Sequence, residues 1–536
     1  MEETTQLKIN IPATILLVLF LLGFWFRLEL NGVHELQPGN VKAADPVYHV
    51  VESMYIAETG KAGMDPPEFS HGNPNIISNV PPLLHVMAGA LSFTRGLKAW
   101  NIIYGLTALL SALCIVFSYL IVKHLFHSET TALLAAGLQV IPFETGRWWY
   151  YLYIGIWPQF AVFVLFLATS FFVLKYSRTE QTQWAFLLAI CTAAQILMHY
   201  SLLPFLLPLY IAIGLQIVKK IRNTNYDVKY IIDVLIITII PLTTILIGYV
   251  RLLALRDAPQ FRLTTIFSSQ PYIPNFLEFG TIYNIIFVIG CCALIIQGKR
   301  KWVLTAYVTY CLVILFLGPY FITNAYYISM RQRLFLPTLF AILIGYAIQI
   351  TIFIPKKMTI KKEYALVLIV VILAIGFAYP GYATMQKQLS NQQPAERYEG
   401  QMWVATHTQP SAIVYYLAPN GQREEGFTRR TSYAVDFDSV SKILNTWNRT
   451  DALPTAFGGE VRTGWSGLTR QLGIFRWDQL KARNYSQNLL EYDYLYLENI
   501  QGLVPFNQAL SSYLIQQYNY TIAFNNGYVV VLQHGQ

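Results

Sequence analysis

Apolar runs of membrane-spanning length, separated by short basic loops, decide what this chain can fold into. A bilayer core of roughly 30 Å takes about 20 mostly apolar residues, and only an element that satisfies its own backbone hydrogen bonds crosses it. Runs of this kind lie at 11–29, 100–122, 130–142, 155–174, 183–199, 201–218, 230–251, 281–297, 302–318, 334–354 and 364–380, which gives about eleven transmembrane helices. The third is short, and 82–95 is apolar but too brief to count. Composition agrees: 54% of the residues are hydrophobic and only 12% charged, about half the usual charged share, which excludes an ordinary soluble protein. Aromatic residues at 15% exclude disorder. The cysteines Cys114, Cys191, Cys291, Cys292 and Cys311 all lie in apolar stretches, where neither a disulfide framework nor a zinc spacing is available. The first run exceeds a signal-peptide core and ends in Phe26-Arg27-Leu28 without a small-residue cleavage site, so it is read as a retained helix.

The formal net charge of +9 does not point to nucleic acid, because the basic residues cluster between the apolar runs and report orientation instead. Lys219, Lys220, Arg222 and Lys229 form one such loop, Lys299, Arg300 and Lys301 a second, and Lys356, Lys357, Lys361 and Lys362 a third. With the N-terminus in the cytoplasm all three loops are cytoplasmic. The segments 30–99, 143–154, 252–280, 319–333 and everything after 380 then lie outside. Three glycosylation sequons, Asn448-Arg449-Thr450, Asn484-Tyr485-Ser486 and Asn519-Tyr520-Thr521, fall in that outer C-terminal region. Residues 1–380 thus form the transmembrane domain and 381–536 an extracytoplasmic domain of mixed α/β class. In the latter, 394–408, 438–447 and 506–517 read as helices, 412–417 and 492–497 as strands, and 520–532 as a hairpin turning at Asn525-Asn526-Gly527.

The long first outer segment carries Ala44-Asp45-Pro46-Val47-Tyr48-His49, then Glu52 and Glu58, then Pro81-Pro82-Leu83-Leu84-His85. If Pro46 starts a helix, positions 45, 49 and 52 share one face, an acidic and imidazole surface at the membrane boundary. An Asp before a helical proline is equally an ordinary N-cap. Asp-Pro-x-Tyr-His just after the first span, followed by Pro-Pro-Leu, resembles the first external loop of C-type (GT-C) glycosyltransferases. It is most similar to the oligosaccharyltransferase catalytic subunits, with protein O-mannosyltransferases and lipid A aminoarabinose transferases sharing the architecture.

That resemblance implies a mainly α polytopic GT-C-like fold with a soluble α/β domain, and transfer of a sugar or glycan from a polyprenyl phosphate carrier to an outer acceptor. It implies that Asp45 is a general base or a ligand of a divalent cation, Mn²⁺ or Mg²⁺, with His49 beside it and Glu144 as the second acid. The loop around Glu144 departs from the oligosaccharyltransferase pattern, since Pro142-Phe143-Glu144-Thr145-Gly146-Arg147-Trp148-Trp149 holds one acid, and the Trp-Trp-Asp string of their soluble domain is missing. The acceptor therefore stays open among protein, lipid and glycan.

Arginines on the outer side are the next signal, because a guanidinium holds a phosphate through paired hydrogen bonds. Arg331 and Arg333, beside Tyr326 and Tyr327, are the first candidates, followed by Arg256 and Arg147; capping or snorkelling is the plain alternative. Glu52, His85, His199 and Trp149 are candidates for the substrate lining, His199 having the alternative of a tight turn between helices. A non-catalytic protein that binds lipid-linked sugar, or a transporter of it, is the competing class. A transporter calls for charges at mid-membrane and an internal repeat, and the spans carry few charges and no repeat. The orientation is tested by labelling introduced cysteines from outside: one near position 420 reacts and one near 300 does not. The reverse pattern overturns the assigned outer face.

Overall fold

The computed structural model describes residues 10–30, 44–63, 81–95, 98–141, 155–199, 203–223, 228–256, 336–353, 359–389, 394–417, 427–432, 434–435, 486–499 and 504–535, with isolated positions 152, 292, 442 and 445–446. The chain divides into two compact units. The first holds α1 (Ile11–Leu30), α4 (Ala99–Phe126) from Tyr104 onward, α5 (Glu129–Gly137), α6 (Trp157–Thr179), α7 (Thr182–Met198), α8 (Leu203–Asn223), most of α9 (Val228–Arg256), α10 (Leu336–Ile348) and α11 (Ile360–Leu389). A π-helical turn, Gln349–Phe353, continues α10.

Among the described residues five helical stretches are long and apolar enough to cross a bilayer: Ile11–Glu29, Ala99–Phe126, Trp157–Thr179, Val228–Gly248 and Ile360–Thr384. Thr182–Met198 and Ala341–Ile352 are shorter apolar helices. The described residues do not confirm the expected count of about eleven. The predicted spans 281–297 and 302–318 lie outside the described residues, and 130–142 contains only the nine-residue α5, about 14 Å long at 1.5 Å per residue. Large apolar side chains on α1, α9 and α11 face outward, among them Leu17, Trp25, Leu242, Ile247, Ile372 and Phe377, which in water would be a costly surface and in lipid is the expected one. The interior of this unit packs α6 and α7 against α8 and α9 through Val173, Tyr176, Leu188, Ile213, Ile217 and Ile237.

A buried cation organises one side of the first unit. Arg27 of α1 is wholly inaccessible to solvent. Its Nη1 donates to the Gly23 carbonyl at 2.7 Å and the Val140 carbonyl at 3.2 Å, and Nη2 donates to the Gln139 carbonyl at 3.1 Å. Those last two carbonyls follow the C-terminal end of α5, where helix carbonyls lack intrahelical donors and the dipole favours positive charge. Gln139 in turn donates from Nε2 to the Pro337 carbonyl in the first turn of α10 at 2.8 Å. Tyr382 of α11 donates its hydroxyl to the Phe26 carbonyl at 3.0 Å.

The second unit holds α2 (Ala44–Thr59), α3 (Leu83–Arg95) and the C-terminal residues. The latter comprise α12 (Ala395–His407), β1 (Val414–Leu417), β2 (Ala434–Val435), β3 (Ser486–Gln487), β4 (Tyr494–Glu498), α13 (Val504–Tyr518), β5 (Tyr520–Asn525) and β6 (Val529–His534). The main sheet runs β1-β4-β6-β5, with β1 parallel to β4 and the other neighbours antiparallel; β2 and β3 form a separate parallel pair. Alternation sends Leu495, Leu497 and Leu532 to one face with Leu510 and Leu514 of α13, and Tyr496, Val529 and Val531 to the other with Val404 of α12. The sheet is therefore covered by a helix on each side. Arg397 of α12 is fixed to the buried Glu498 at the end of β4 through Nε–Oε1 at 2.5 Å and Nη2–Oε2 at 2.6 Å. Most of the helix expected at 438–447 lies outside the described residues, as do the sequons at Asn448 and Asn484.

Close approach of α5 and α11 rests on Gly137, where an added Cβ would sit 2.2 Å from Val371 Cγ2. Gly137→Ala is expected to lower stability by about 1–3 kcal/mol, the usual cost of overpacking, with Val371→Ala in the same chain recovering part of it. Thermal unfolding of the detergent-solubilised protein measures both.

Candidate active site

The helix predicted to start at Pro46 begins two residues earlier, at Ala44. Asp45 is consequently its second residue, in the first turn and not at the cap position, and Pro46 falls where its missing N–H leaves no partner unsatisfied. Positions 45, 49 and 52 lie on one face of α2, at spacings of four and three. The described side chains of α2 begin at Pro46, so that of Asp45 lies outside them.

The helices α2 and α3 form an antiparallel-capable pair of short amphipathic elements whose apolar faces meet: Val47, Val50, Val51 and Ile56 on one side, Leu84 and Ala88 on the other, all buried. Gly89 permits their approach, since a Cβ there would lie 3.0 Å from the Ser53 carbonyl oxygen. This packing brings His49 and His85 together. Nδ1 of His49 lies 2.7 Å from Nε2 of His85, one nitrogen donating and the other accepting, and the rings stack at 5.0 Å with 24° between their planes. Tyr48 stands edge-on to both imidazoles. Both histidines are buried, Glu52 is fully buried one turn beyond His49, and Ser53 donates its hydroxyl to the His49 carbonyl at 2.8 Å. The contact is a single hydrogen bond, which fixes the two imidazole rings against each other.

At the end of the same helix Glu58 is held by Arg429, with Nη2–Oε2 at 2.9 Å and Nη1–Oε1 at 3.3 Å. Its half-exposed setting limits the pair to about 0–1 kcal/mol. In the first unit His199 ends α7 in an extended conformation, and its Nε2 lies 3.4 Å from Gln159 Nε2 at the start of α6. The turn reading of His199 and the lining reading are both compatible with that contact.

Thus His49, Glu52 and His85 come together in one helix pair, while His199 sits in the other unit. Glu144, Arg147, Trp149, Arg331 and Arg333 lie outside the described residues; Arg256 is the last residue of α9 and its side chain is likewise outside. Among the described residues no three metal-ligating side chains converge. The histidine contact itself, and the roles of Tyr48 and Gln159 beside the imidazoles, were not legible in the sequence, where His49 and His85 are separated by a long segment without periodic pattern.

No protein-family profile matches the chain, and no curated protein matches it with significance. Solved structures do. The Archaeoglobus fulgidus oligosaccharyltransferase without ligand is 13% identical, over 92% of this chain and 70% of its own, with a TM-score of 0.57. ArnT from Cupriavidus metallidurans is 10% identical over 97% of both chains, with a TM-score of 0.57 in the apo state and 0.58 when bound to undecaprenyl phosphate. The archaeal oligosaccharyltransferase AglB, in complex with an inhibitory peptide and a dolichol-phosphate, gives 0.53 at 12% identity. At such identities the likeness is one of architecture, and the fold of this chain is the GT-C fold of those membrane glycosyltransferases.

Proposed function

We propose that this protein is an integral membrane glycosyltransferase that moves a sugar or glycan from a polyprenyl-phosphate-type carrier to an acceptor on the extracytoplasmic face. The observation that carries the proposal is the match over 97% of both chains to ArnT bound to undecaprenyl phosphate, combined with an Asp-Pro-x-Tyr-His helix directly after the first membrane span. The carrier's lipid tail stays in the bilayer and its phosphate is held by Arg331 and Arg333, with Arg256 and Arg147 as further donors. Trp149, Glu52, His85 and His199 line the substrate path.

In the transfer step Asp45 takes the proton of an acceptor hydroxyl or amide as the acceptor atom bonds to the anomeric carbon. The bond from that carbon to the phosphate oxygen breaks, its electron pair leaves on the polyprenyl phosphate, and the anomeric centre inverts. His49, one turn along α2 from Asp45 and hydrogen-bonded to His85 of α3, acts beside Asp45. A divalent cation, Mn²⁺ or Mg²⁺, on Asp45 and Glu144 would supply neutralisation of the leaving phosphate. Residues 381–536 act as a soluble outer domain alongside the transmembrane domain of residues 1–380.

Asp45→Asn keeps the size of the side chain and removes the charge. Transfer activity from a polyprenyl phosphate sugar is expected to fall roughly 10²- to 10⁴-fold. Stability should change by no more than the charge–dipole term of a first-turn carboxylate, about 0.3–1 kcal/mol. Full activity in this variant would remove Asp45 from the chemistry, and a chelator that leaves the wild-type rate unchanged would favour the base over the metal ligand. For donor binding, Arg333→Ala should weaken capture of a polyprenyl phosphate sugar more than Arg300→Ala does. Equal effects in a lipid-binding titration would make both arginines headgroup anchors.

A further inference from the structure

The first unit contains a basic cavity at the opposite end of α6 from Gln159 and His199. It has a volume of about 410 Å³ and lies where the C-terminal ends of α4 and α6 meet. Arg178 on its rim is nineteen residues beyond Gln159, roughly 28 Å along the helix axis. Leu120 and Phe171 provide an apolar floor. Lys123, Lys175 and Arg178 make the wall basic, His124 and His127 complete it, and Glu129 is the one acid among the lining residues.

The plain explanation for basic residues here is capping of helix ends, and the backbone removes much of its force. Glu180, in the left-handed region at φ 52°, donates its N–H to the Tyr176 carbonyl at 2.8 Å, and His127, at φ 54°, donates to the Lys123 carbonyl at 2.9 Å. Both helix ends are thus already closed by main-chain bonds. Glu129 is spent on Lys123, at 2.6 Å, and on the Tyr119 hydroxyl. Glu180 is held by Lys220 at 2.6 Å and by the Tyr230 hydroxyl, which draw its carboxyl below the usual carboxylate range. Among the described residues no carboxylate pairs with Lys175 or Arg178. Lys175 instead stands over the rings of Phe171 and Trp184, 5.7 Å from each centroid, which holds its ammonium at the cavity while leaving its N–H groups for a ligand.

We propose that this cavity binds the phosphate of an acidic lipid headgroup, with Arg178 and Lys175 as donors and Leu120 and Phe171 against the adjoining glycerol and acyl carbons. Uncompensated cations above an apolar floor, at the ends of membrane-spanning helices, suit an amphiphile with a negative head. A soluble phosphate ester presents the same oxygens, and the experiment separates the two sources. Being at the far end of α6, the site is distinct from Gln159 and His199.

The full-length protein in mild detergent is titrated with phosphatidic acid and with phosphatidylcholine, and bound lipid is counted by native mass spectrometry. Wild type is expected to retain phosphatidic acid preferentially. In the double variant Lys175→Gln/Arg178→Gln retention should fall at least about tenfold, the loss of one or more charge-assisted hydrogen bonds. Arg222→Gln, the loss of one cation at the end of α8, should bind as wild type, and Lys175→Gln/Arg178→Lys should recover part of the loss. An unchanged double variant, or an equal loss in Arg222→Gln, would overturn the site. Displacement of the lipid by millimolar inorganic phosphate would overturn the lipid assignment in favour of a soluble ester.

Discussion

A cation sealed inside a membrane helix is the constraint that the first unit is built around. A buried charge in that setting costs several kcal/mol even after relaxation unless it is hydrogen-bonded, and carbonyl oxygens supply acceptors for Arg27. Gly23 supplies one from within α1, and Gln139 and Val140 supply the others from the chain just past α5. The N–H groups of Leu138, Gln139 and Val140 close the last turn of α5, and the carbonyls of Gln139 and Val140 in that closing turn accept from the arginine. The same junction then reaches α10 through Gln139 and Pro337. The two segments that hold the proposed Glu144 and the proposed Arg331 and Arg333 leave from the neighbourhood of this junction in sequence, one just after Val140 and the other just before Pro337.

Much of the fold was legible because its determinants are periodic. The spans at 11–29, 100–122 and 155–174 correspond to α1, α4 and α6, and the strand and helix pattern after 394 corresponds to α12, β1, β4, α13 and the β5–β6 hairpin around Asn525-Asn526-Gly527. Continuous apolarity and alternation are one-dimensional signals. What they do not carry is the end of a helix inside a bundle: α5 stops at Gly137 although apolar residues continue to Ile141, and the Gln139 and Val140 carbonyls of the turn that follows accept from Arg27, more than a hundred positions away. The same long-range chemistry hid the role of Arg27, which in sequence looks like the basic end of a span.

The candidate site was legible to a different degree. The face of α2 bearing positions 45, 49 and 52 follows from helical spacing alone. The placement of His85 against His49 follows from Gly89 and the apolar faces of α2 and α3, a tertiary contact with no sequence periodicity behind it. Full burial of Glu52 was likewise unexpected for an acid on an amphipathic helix.

The length of α11 has a consequence for the membrane itself. At 30 residues it extends about 45 Å, half as long again as a hydrocarbon core of roughly 30 Å. Tilt or protrusion must absorb the excess, and Pro380 inside the helix is a natural place for the axis to bend. Because α11 is locked to α1 through Tyr382 and to α5 through Gly137, it cannot adjust its slope alone. Bilayer thickness is thereby coupled mechanically to the helices it grips.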